Sequence, residues 1–150
     1  MNEPKFLTVH TDARPTMDFT QERELIESGG GILKLTQASN EEDLISNVKD
    51  AHGLLVLGAQ ITRRVIEAMP KCQVIIRYGV GLDTLDIPAA TEHGIVVAHF
   101  PDFCQPEVAN QAILLLLACA KKLTMLDQAV RSGVWRPGPL GPMGAIEGGT

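Results

Sequence analysis

Residues 74–86 read V-I-I-R-Y-G-V-G-L-D-T-L-D. Apolar, mostly β-branched residues open this segment and predict a strand, which stops at two glycines spaced by one residue. An acidic stretch that can start a helix follows. In doubly wound α/β proteins, ligands bind beyond the carboxyl ends of the strands, and glycines there let the backbone approach a ligand. The segment therefore predicts a strand, a ligand-facing loop and a helix in succession.

Strand and helix patterns alternate on both sides of this segment. Apolar runs predict further strands over 5–10, 32–36, 53–58 and 95–99. The run at 53–58, G-L-L-V-L-G, contains no polar residue, which is typical of a strand buried on both faces of a parallel sheet. Five strands that alternate with helices predict an α/β fold, specifically a flavodoxin-like five-stranded parallel sheet with helices on both faces.

Two of the intervening helices begin with residues that suit a helix N-terminus. Ser39 and Glu42 have the spacing of a capping box, which predicts Ser39 as the cap of the second helix. Asp86 followed by Pro88 predicts the start of the fourth helix.

The pattern changes after the fifth strand. Residues 106–123 predict a long apolar C-terminal helix, whose segment 112–120 is apolar enough to predict burial on several sides. That segment is about half the roughly 20 residues that a membrane span needs, so no membrane partner is expected. We expect three parts: a flavodoxin-like domain over 1–104, helices over 105–133, and a Gly/Pro-rich linker over 134–150.

Net charge and the cysteine and histidine content limit which partners, which cellular compartment and which metal sites we expect. A net charge of -5 argues against nucleic acid as a partner. The cysteines Cys72, Cys104 and Cys119 form no CxxC pair and, without a signal-peptide pattern, indicate reduced thiols in a cytoplasmic protein. No histidine lies at metal-ligand spacing from another ligand, so no metal site is expected.

The loop Gly79-Val80-Gly81 is the first candidate site, because it can direct backbone N–H groups at an anion. Thr84 stands where a G-x-G-x-x-G dinucleotide fingerprint needs its third glycine. On spacing alone, a tight turn without a ligand remains the alternative.

Three side chains near the strand ends are further candidates. Arg77 either faces this site or pairs structurally. His10 and His99 both end predicted strands, and either reach the same sheet edge or are ordinary hydrogen-bonded histidines.

Residues 77–101, R-Y-G-V-G-L-D-T-L-D-I-P-A-A-T-E-H-G-I-V-V-A-H-F-P, resemble the D-isomer-specific 2-hydroxyacid dehydrogenases, such as D-3-phosphoglycerate dehydrogenase. The pattern of that family is R-x-G-x-G-x-D-N-[IV]-D followed by A-A-x-x-x-G-I-x-V-x-N-x-P, with His99 here in the place of its Asn. V-A-N at 108–110 and R-S-G-V-W at 131–135 are similar too. The stretch L-D-x-A-V-R-S-G-V-W resembles the C-terminal-binding-protein-like branch.

The resemblance implies that this is the N-terminal portion of an enzyme that moves a hydride between NAD or NADP and a small 2-hydroxy or 2-oxo acid. It implies that the substrate carboxylate faces the backbone of Tyr78, Gly79, Val80 and Gly81, and that Val80 also borders the nicotinamide. No catalytic residue is implied within this chain, because those residues and the cofactor domain lie beyond it. The loop at 57–60 lacks the R-S-x-T-like residues of phosphoglycerate-using relatives, which argues against phosphoglycerate.

The resemblance also implies a homodimer formed through the helix at 106–122. A different class of protein fits the same fold: a non-catalytic dimeric binding or scaffold module. The isolated chain is expected to be inactive as an enzyme.

Overall fold

The computed structural model describes residues 4–135 and residue 141. The chain forms two compact units, Met1–Phe103 and Cys104–Thr150. The predicted linker over 134–150 lies almost entirely outside the described residues.

Five strands of the first unit form one parallel sheet. The strands are β1 (Phe6–His10), β2 (Gly31–Leu35), β3 (Gly53–Val56), β4 (Val74–Arg77) and β5 (Val96–Ala98). Their order is β2-β1-β3-β4-β5, which is the order of flavodoxin-like sheets. This arrangement confirms the predicted α/β fold with a five-stranded parallel sheet. Because all neighbours are parallel, every strand ends at the same edge of the sheet.

Helices of the first unit pack on both faces of the sheet. They are α1 (Thr20–Ser28), α2 (Glu41–Val48), α3 (Arg63–Glu67) and α4 (Ile87–Glu92). Successive side chains of a strand point to opposite faces, so Leu54 and Leu55 of β3 belong to different cores. Leu54 packs in the larger core with Val65 of α3. Leu55 packs in the smaller core with Phe19 and with Ile26 of α1.

Helix α2 begins one residue later than its sequence predicts. Oδ1 of Asn40 accepts the Asp43 N–H at 2.9 Å, and the Asp43 carboxylate accepts the Ser39 N–H at 3.0 Å. The capping box expected from Ser39 and Glu42 is therefore wrong by one residue, because asparagine caps helices as well as serine does. The predicted cap at Asp86 is confirmed, since its Oδ1 accepts the N–H three residues further on at 2.9 Å.

The second unit contains α5 (Gln105–Ala120) and α6 (Leu123–Arg131). No residue of α5 is buried, and the apolar run 113–117 is 43–64% exposed. The expectation of a buried helix is therefore wrong for this chain, because the described part of this unit offers only α6 as a packing partner. Within the described residues, no helix combines the length and apolar composition needed to cross a membrane.

Candidate functional site

The loop that follows β4 is held through its carbonyl groups by the residues that follow β5. The carbonyl oxygen of Gly79 accepts the Phe100 N–H at 3.2 Å. The carbonyl oxygen of Val80 lies 2.9 Å from Nδ1 of His99. Because a carbonyl can only accept, Nδ1 of His99 is the donor in this bond. Residues after β5 thus fix the loop from one side.

Arg77, the last residue of β4, folds back on the same loop. Its Nη1 donates to the carbonyl oxygen of Tyr78 at 2.6 Å, and its own carbonyl accepts the Gly79 N–H at 3.0 Å. Gly79 has a φ of +153°, and a Cβ there would lie 2.8 Å from Nη1 of Arg77. Glycine suits both this backbone conformation and this close approach. Sequence analysis left two interpretations of Arg77, a side chain that faces the site or one that pairs structurally. The hydrogen bond that Arg77 donates to the Tyr78 carbonyl agrees with the structural pairing.

Two of the four N–H groups over residues 78–81 are used inside the protein. The Tyr78 N–H donates to the carbonyl oxygen of Val56 at 2.7 Å, and that of Gly79 closes the turn. The N–H groups of Val80 and Gly81 have no hydrogen-bond partner among the described residues. Both residues are exposed. A loop whose carbonyls are tied back and whose N–H groups are open can accept an anion such as a carboxylate.

A cavity of about 510 Å³ lies beside this loop. Its size falls within the roughly 300–1,000 Å³ of small-molecule sites. Most of its wall is apolar, and the rings of Phe100 and Phe103 are 53% and 66% exposed. An apolar part of a ligand could cover these rings. The lining residues are Glu22, Leu57, Tyr78, Gly79, Phe100 and Phe103.

The cavity wall, which is otherwise mostly apolar, contains one carboxylate, that of Glu22. The Tyr78 hydroxyl donates to Oε1 of Glu22 at 3.0 Å. Burial, the hydrogen bond to Glu22 and the charge of Glu22 together raise the pKa of Tyr78 above its ordinary value of 10.0. Tyr78 is therefore a neutral donor at physiological pH. Glu22 has no cationic partner among the described residues.

His10 lies beneath this pair and is not exposed. Its ring meets Phe19 and Tyr78 edge-on, at centroid distances of 4.7 and 5.5 Å. Burial lowers the pKa of His10 below 6.5, although the charges of Asp12 and Glu22 act in the opposite direction. His10 is therefore neutral at pH 7 and serves as packing at the sheet edge, with its Nε2 lacking a partner in the described structure.

The loop after β3 already holds an anion, the side chain of Asp12. Its Oδ1 accepts the Leu57 N–H at 2.9 Å, and its Oδ2 accepts those of Gly58 and Ala59 at 2.5 and 3.1 Å. The Thr11 hydroxyl donates to Oδ1 at 2.9 Å. Partial burial by itself would raise the pKa of Asp12, but these hydrogen bonds lower it below its ordinary value of 3.8. Asp12 is thus ionised at neutral pH and fixes this loop.

The structure places the predicted substrate-binding residues on one loop at the carboxyl end of β4. Tyr78 and Gly79 line the cavity, and Val80 and Gly81, which follow them outside the cavity lining, carry the open N–H groups. Their contact with a substrate carboxylate, and that of Val80 with a nicotinamide, stay predictions. In the part of the chain that the structure describes, no group of three or more His, Cys, Asp or Glu residues is placed to hold a metal ion.

Four residues of this site were not among the predicted ones. Asp12 follows β1 at the same sheet edge as the loop, so its position in the topology was a usable signal. Phe100 and Phe103 flank a turn in the stretch F-P-D-F, where exposed aromatic rings indicate a binding surface. Glu22 carries no such signal, because acidic residues are common in the first turn of a helix.

The fold and the loop place the chain among doubly wound α/β domains, whose strand-end loops form small-molecule sites. Residues 12–133 match the family described as "D-isomer specific 2-hydroxyacid dehydrogenase, catalytic domain". The chain therefore belongs to the D-isomer specific 2-hydroxyacid dehydrogenase family, which confirms the resemblance found in its sequence.

Named relatives agree with this assignment. The D-3-phosphoglycerate dehydrogenase of Methanocaldococcus jannaschii is 38% identical over 106 residues, which are 70% of this chain and 20% of that protein. The glyoxylate reductase of Thermofilum pendens is 37% identical over 97 residues, 64% of this chain and 29% of that protein. A solved structure of NAD+-bound 3-phosphoglycerate dehydrogenase from Entamoeba histolytica has a TM-score of 0.68 and 28% identity, and the match covers 78% of this chain and 40% of that one.

The chain spans only 20% and 29% of the length of these two curated relatives. Their names describe oxidoreductases, and those activities belong to proteins several times longer than the matched segment.

Proposed function

We propose that this chain is the N-terminal part of an NAD(P)-dependent 2-hydroxyacid dehydrogenase, and that residues 78–81 hold the carboxylate of a small 2-hydroxy or 2-oxo acid. One observation carries the proposal. The N–H groups of Val80 and Gly81 are open on a loop whose carbonyl groups are bonded from behind. A hydrogen bond from such a donor to a charged acceptor contributes roughly 1.5–3 kcal/mol. Two such bonds would orient a carboxylate beside the cavity.

The cofactor in this proposal is NAD or NADP, and its main binding domain is not in this chain. When bound, the cofactor would exchange a hydride with C2 of the acid. Val80 is 45% exposed and offers an apolar surface that suits the face of a nicotinamide ring. The NAD+ found in the solved relative from E. histolytica supports this class of cofactor.

The carboxylate site can be tested by NMR on the ¹⁵N-labelled chain. Pyruvate and D-lactate are expected to shift the amide signals of Val80 and Gly81, while lactamide, which lacks the charge, should leave them in place. His99→Ala should weaken binding severalfold, because the Val80 carbonyl loses its donor. The matched control is His93→Ala, since His93 also bonds a backbone carbonyl, that of Ala89, at 2.9 Å. Amide signals unaffected by any acid would refute the proposed site.

Catalysis is expected to need residues that this chain does not supply. The purified chain should therefore not oxidise NADH or NADPH with glyoxylate or hydroxypyruvate. Turnover by the 150-residue chain would overturn that part of the proposal. A coding sequence that continues after Thr150 into a G-x-G-x-x-G segment would support the two-domain enzyme.

The exposed helix α5 favours self-association in either class of protein. Its run 113–117 presents a continuous apolar surface, which a second copy of the chain could bury. We propose a homodimer formed through residues 106–122. The alternative, a non-catalytic dimeric binding or scaffold module, shares this dimer but predicts no response to cofactor or 2-oxo acids. A melting-temperature scan with NADH and small 2-oxo acids on the full-length protein separates the two.

The dimer can be tested by sedimentation of two charge variants. Leu116 is 64% exposed on α5, so Leu116→Glu is expected to give a monomer. Leu25 is 73% exposed on α1 and provides the control, because Leu25→Glu adds the same charge on a helix that the proposed dimer does not use. A wild-type chain that sediments as a monomer at every concentration would contradict the dimer.

A further inference from the structure

The loop after β3 does not offer a second anion site. The N–H groups of Leu57, Gly58 and Ala59 are all bonded to the carboxylate of Asp12. A phosphate or a second carboxylate on a ligand would meet a negative charge there instead of free donors. Like charges at short range repel each other, which disfavours a dianionic ligand at this edge of the sheet.

The cavity instead offers apolar surface to the rest of the ligand. Leu57 forms one part of the wall, and the exposed rings of Phe100 and Phe103 form another. The backbone of Gly79 joins this wall to the open N–H groups of the loop. If a ligand held by its carboxylate at the loop extends into the cavity, its side chain lies among carbon atoms.

Glu22 is the only charged side chain among the six residues that line the cavity. It is half-buried, and its one hydrogen bond in the described structure comes from the neutral hydroxyl of Tyr78. A partly desolvated carboxylate without a cationic partner is stabilised by a ligand that brings a charged donor.

Tyr78 connects the loop to Glu22. Its backbone belongs to the loop, and its hydroxyl bonds to Glu22. Glu22 thus lies one tyrosine side chain, or about five bonds of an extended aliphatic chain, from the backbone of Tyr78, and the open N–H groups follow two and three residues further along the loop. An aliphatic side chain of that length can run along the ring from the loop to Glu22.

We infer that the ligand is a 2-oxo or 2-hydroxy acid with an aliphatic side chain that ends in a cationic donor, which Glu22 receives. This inference rests on the proposed function, because it takes the carboxylate to lie at residues 78–81. It adds a specificity-determining residue, Glu22, and a substrate class, acids with a basic side chain. It disfavours phosphorylated and dicarboxylic acids.

The test compares three acids of similar length by NMR titration of the chain. The probes are 5-guanidino-2-oxopentanoate, which is cationic at its far end, neutral 2-oxohexanoate and anionic 2-oxoadipate. The cationic acid is expected to bind about tenfold more tightly than the anionic one, with the neutral acid between them. In Glu22→Gln this preference should fall to about twofold, while the bond from Tyr78 can still form. Glu24→Gln is the matched control, because Glu24 is exposed on the same helix and does not line the cavity.

The outcomes separate the two proposals. If no acid shifts the signals of Val80 and Gly81, the proposed function fails. If all three acids shift those signals with equal affinity, the carboxylate site stands and the inference about the side chain is overturned. A preference that is unchanged in Glu22→Gln would also overturn it, because the selectivity would then come from another group.

Discussion

Replacing Asp12 by asparagine removes the charge that anchors the loop after β3. An asparagine keeps one carbonyl oxygen, whereas the aspartate uses two oxygens to accept three backbone N–H groups, those of Leu57, Gly58 and Ala59. If the amide nitrogen takes the place of Oδ2, two N–H groups lose their acceptor and face another donor.

The expected loss follows from the number and exposure of these bonds. A hydrogen bond to a charged group contributes roughly 1.5–3 kcal/mol, and about 1–1.5 kcal/mol applies to each bond here because water reaches this site. The side chain of Asp12 is 24% exposed, and Gly58 is exposed as well. Two lost bonds therefore predict a decrease of about 2–3 kcal/mol in the free energy of unfolding at pH 7.

The pH dependence gives the prediction a second readout. The pKa of Asp12 is lower in the folded protein than its ordinary value of 3.8, so the unfolded chain binds this proton first as pH falls. The stabilisation is fully present above about pH 4 and is lost as the pH falls toward the folded pKa. Asp12→Asn, which has no such proton to bind, should lose less stability than the wild type over the same acid range.

Urea unfolding followed by far-UV circular dichroism measures both effects. A loss of 2–3 kcal/mol lowers the midpoint by about 1 M at the urea dependence typical of small domains. Asp18→Asn is the control, because Asp18 is an exposed carboxylate that also accepts a backbone N–H, that of Thr20. An Asp12→Asn chain as stable as the wild type, or acid curves that run in parallel, would refute the reasoning.

Three further predictions concern the loop, its tyrosine and a helix cap. Tyr78 is the only tyrosine of the chain, so absorbance at 295 nm should show its ionisation above its ordinary pKa of 10.0, and Glu22→Gln should move that pKa back down. Gly79→Ala forces a side chain onto a backbone with a φ of +153° and should cost about 1–3 kcal/mol in thermal unfolding, whereas no loss would mean that the loop relaxes freely. Asn40→Ala should cost about 1 kcal/mol in urea unfolding and Ser39→Ala much less, and the reverse order would restore the cap expected from the sequence.

The order of elements in the first unit could be predicted because it depends on local patterns. The apolar run of β3 predicts a buried parallel strand, and the glycines at 79 and 81 predict a loop at the end of β4. Both lie where expected. The cap of α2 could not be predicted, because Ser39 with Glu42 and Asn40 with Asp43 have the same spacing. In the folded chain the Glu42 carboxylate accepts a hydrogen bond from Arg64 of α3 at 2.6 Å, a contact that the sequence does not reveal.

The candidate site also contains one part that could be predicted from the sequence and one part that could not. The position of its loop could be predicted because two glycines follow an apolar strand, although the ligand that the loop binds stays a prediction. Glu22 could not be predicted, because it reaches Tyr78 across 56 residues of sequence through the packing of α1. The exposure of α5 could not be predicted from the sequence either. An apolar helix indicates that a packing partner is needed, but not whether this chain contains that partner.

The position of β1 in the sheet has a consequence for the order in which the chain assembles during synthesis. β1 leaves the ribosome first and lies beside β2 in the finished sheet, while β3, β4 and β5 lie in chain order on its other side. Residues 99 and 100, which hold the carbonyls of Val80 and Gly79, emerge only after the last strand. The loop at 78–81 therefore cannot form these two bonds until residues 99 and 100 are available, so a nascent chain released before β5 would contain the glycines without the contacts that hold them.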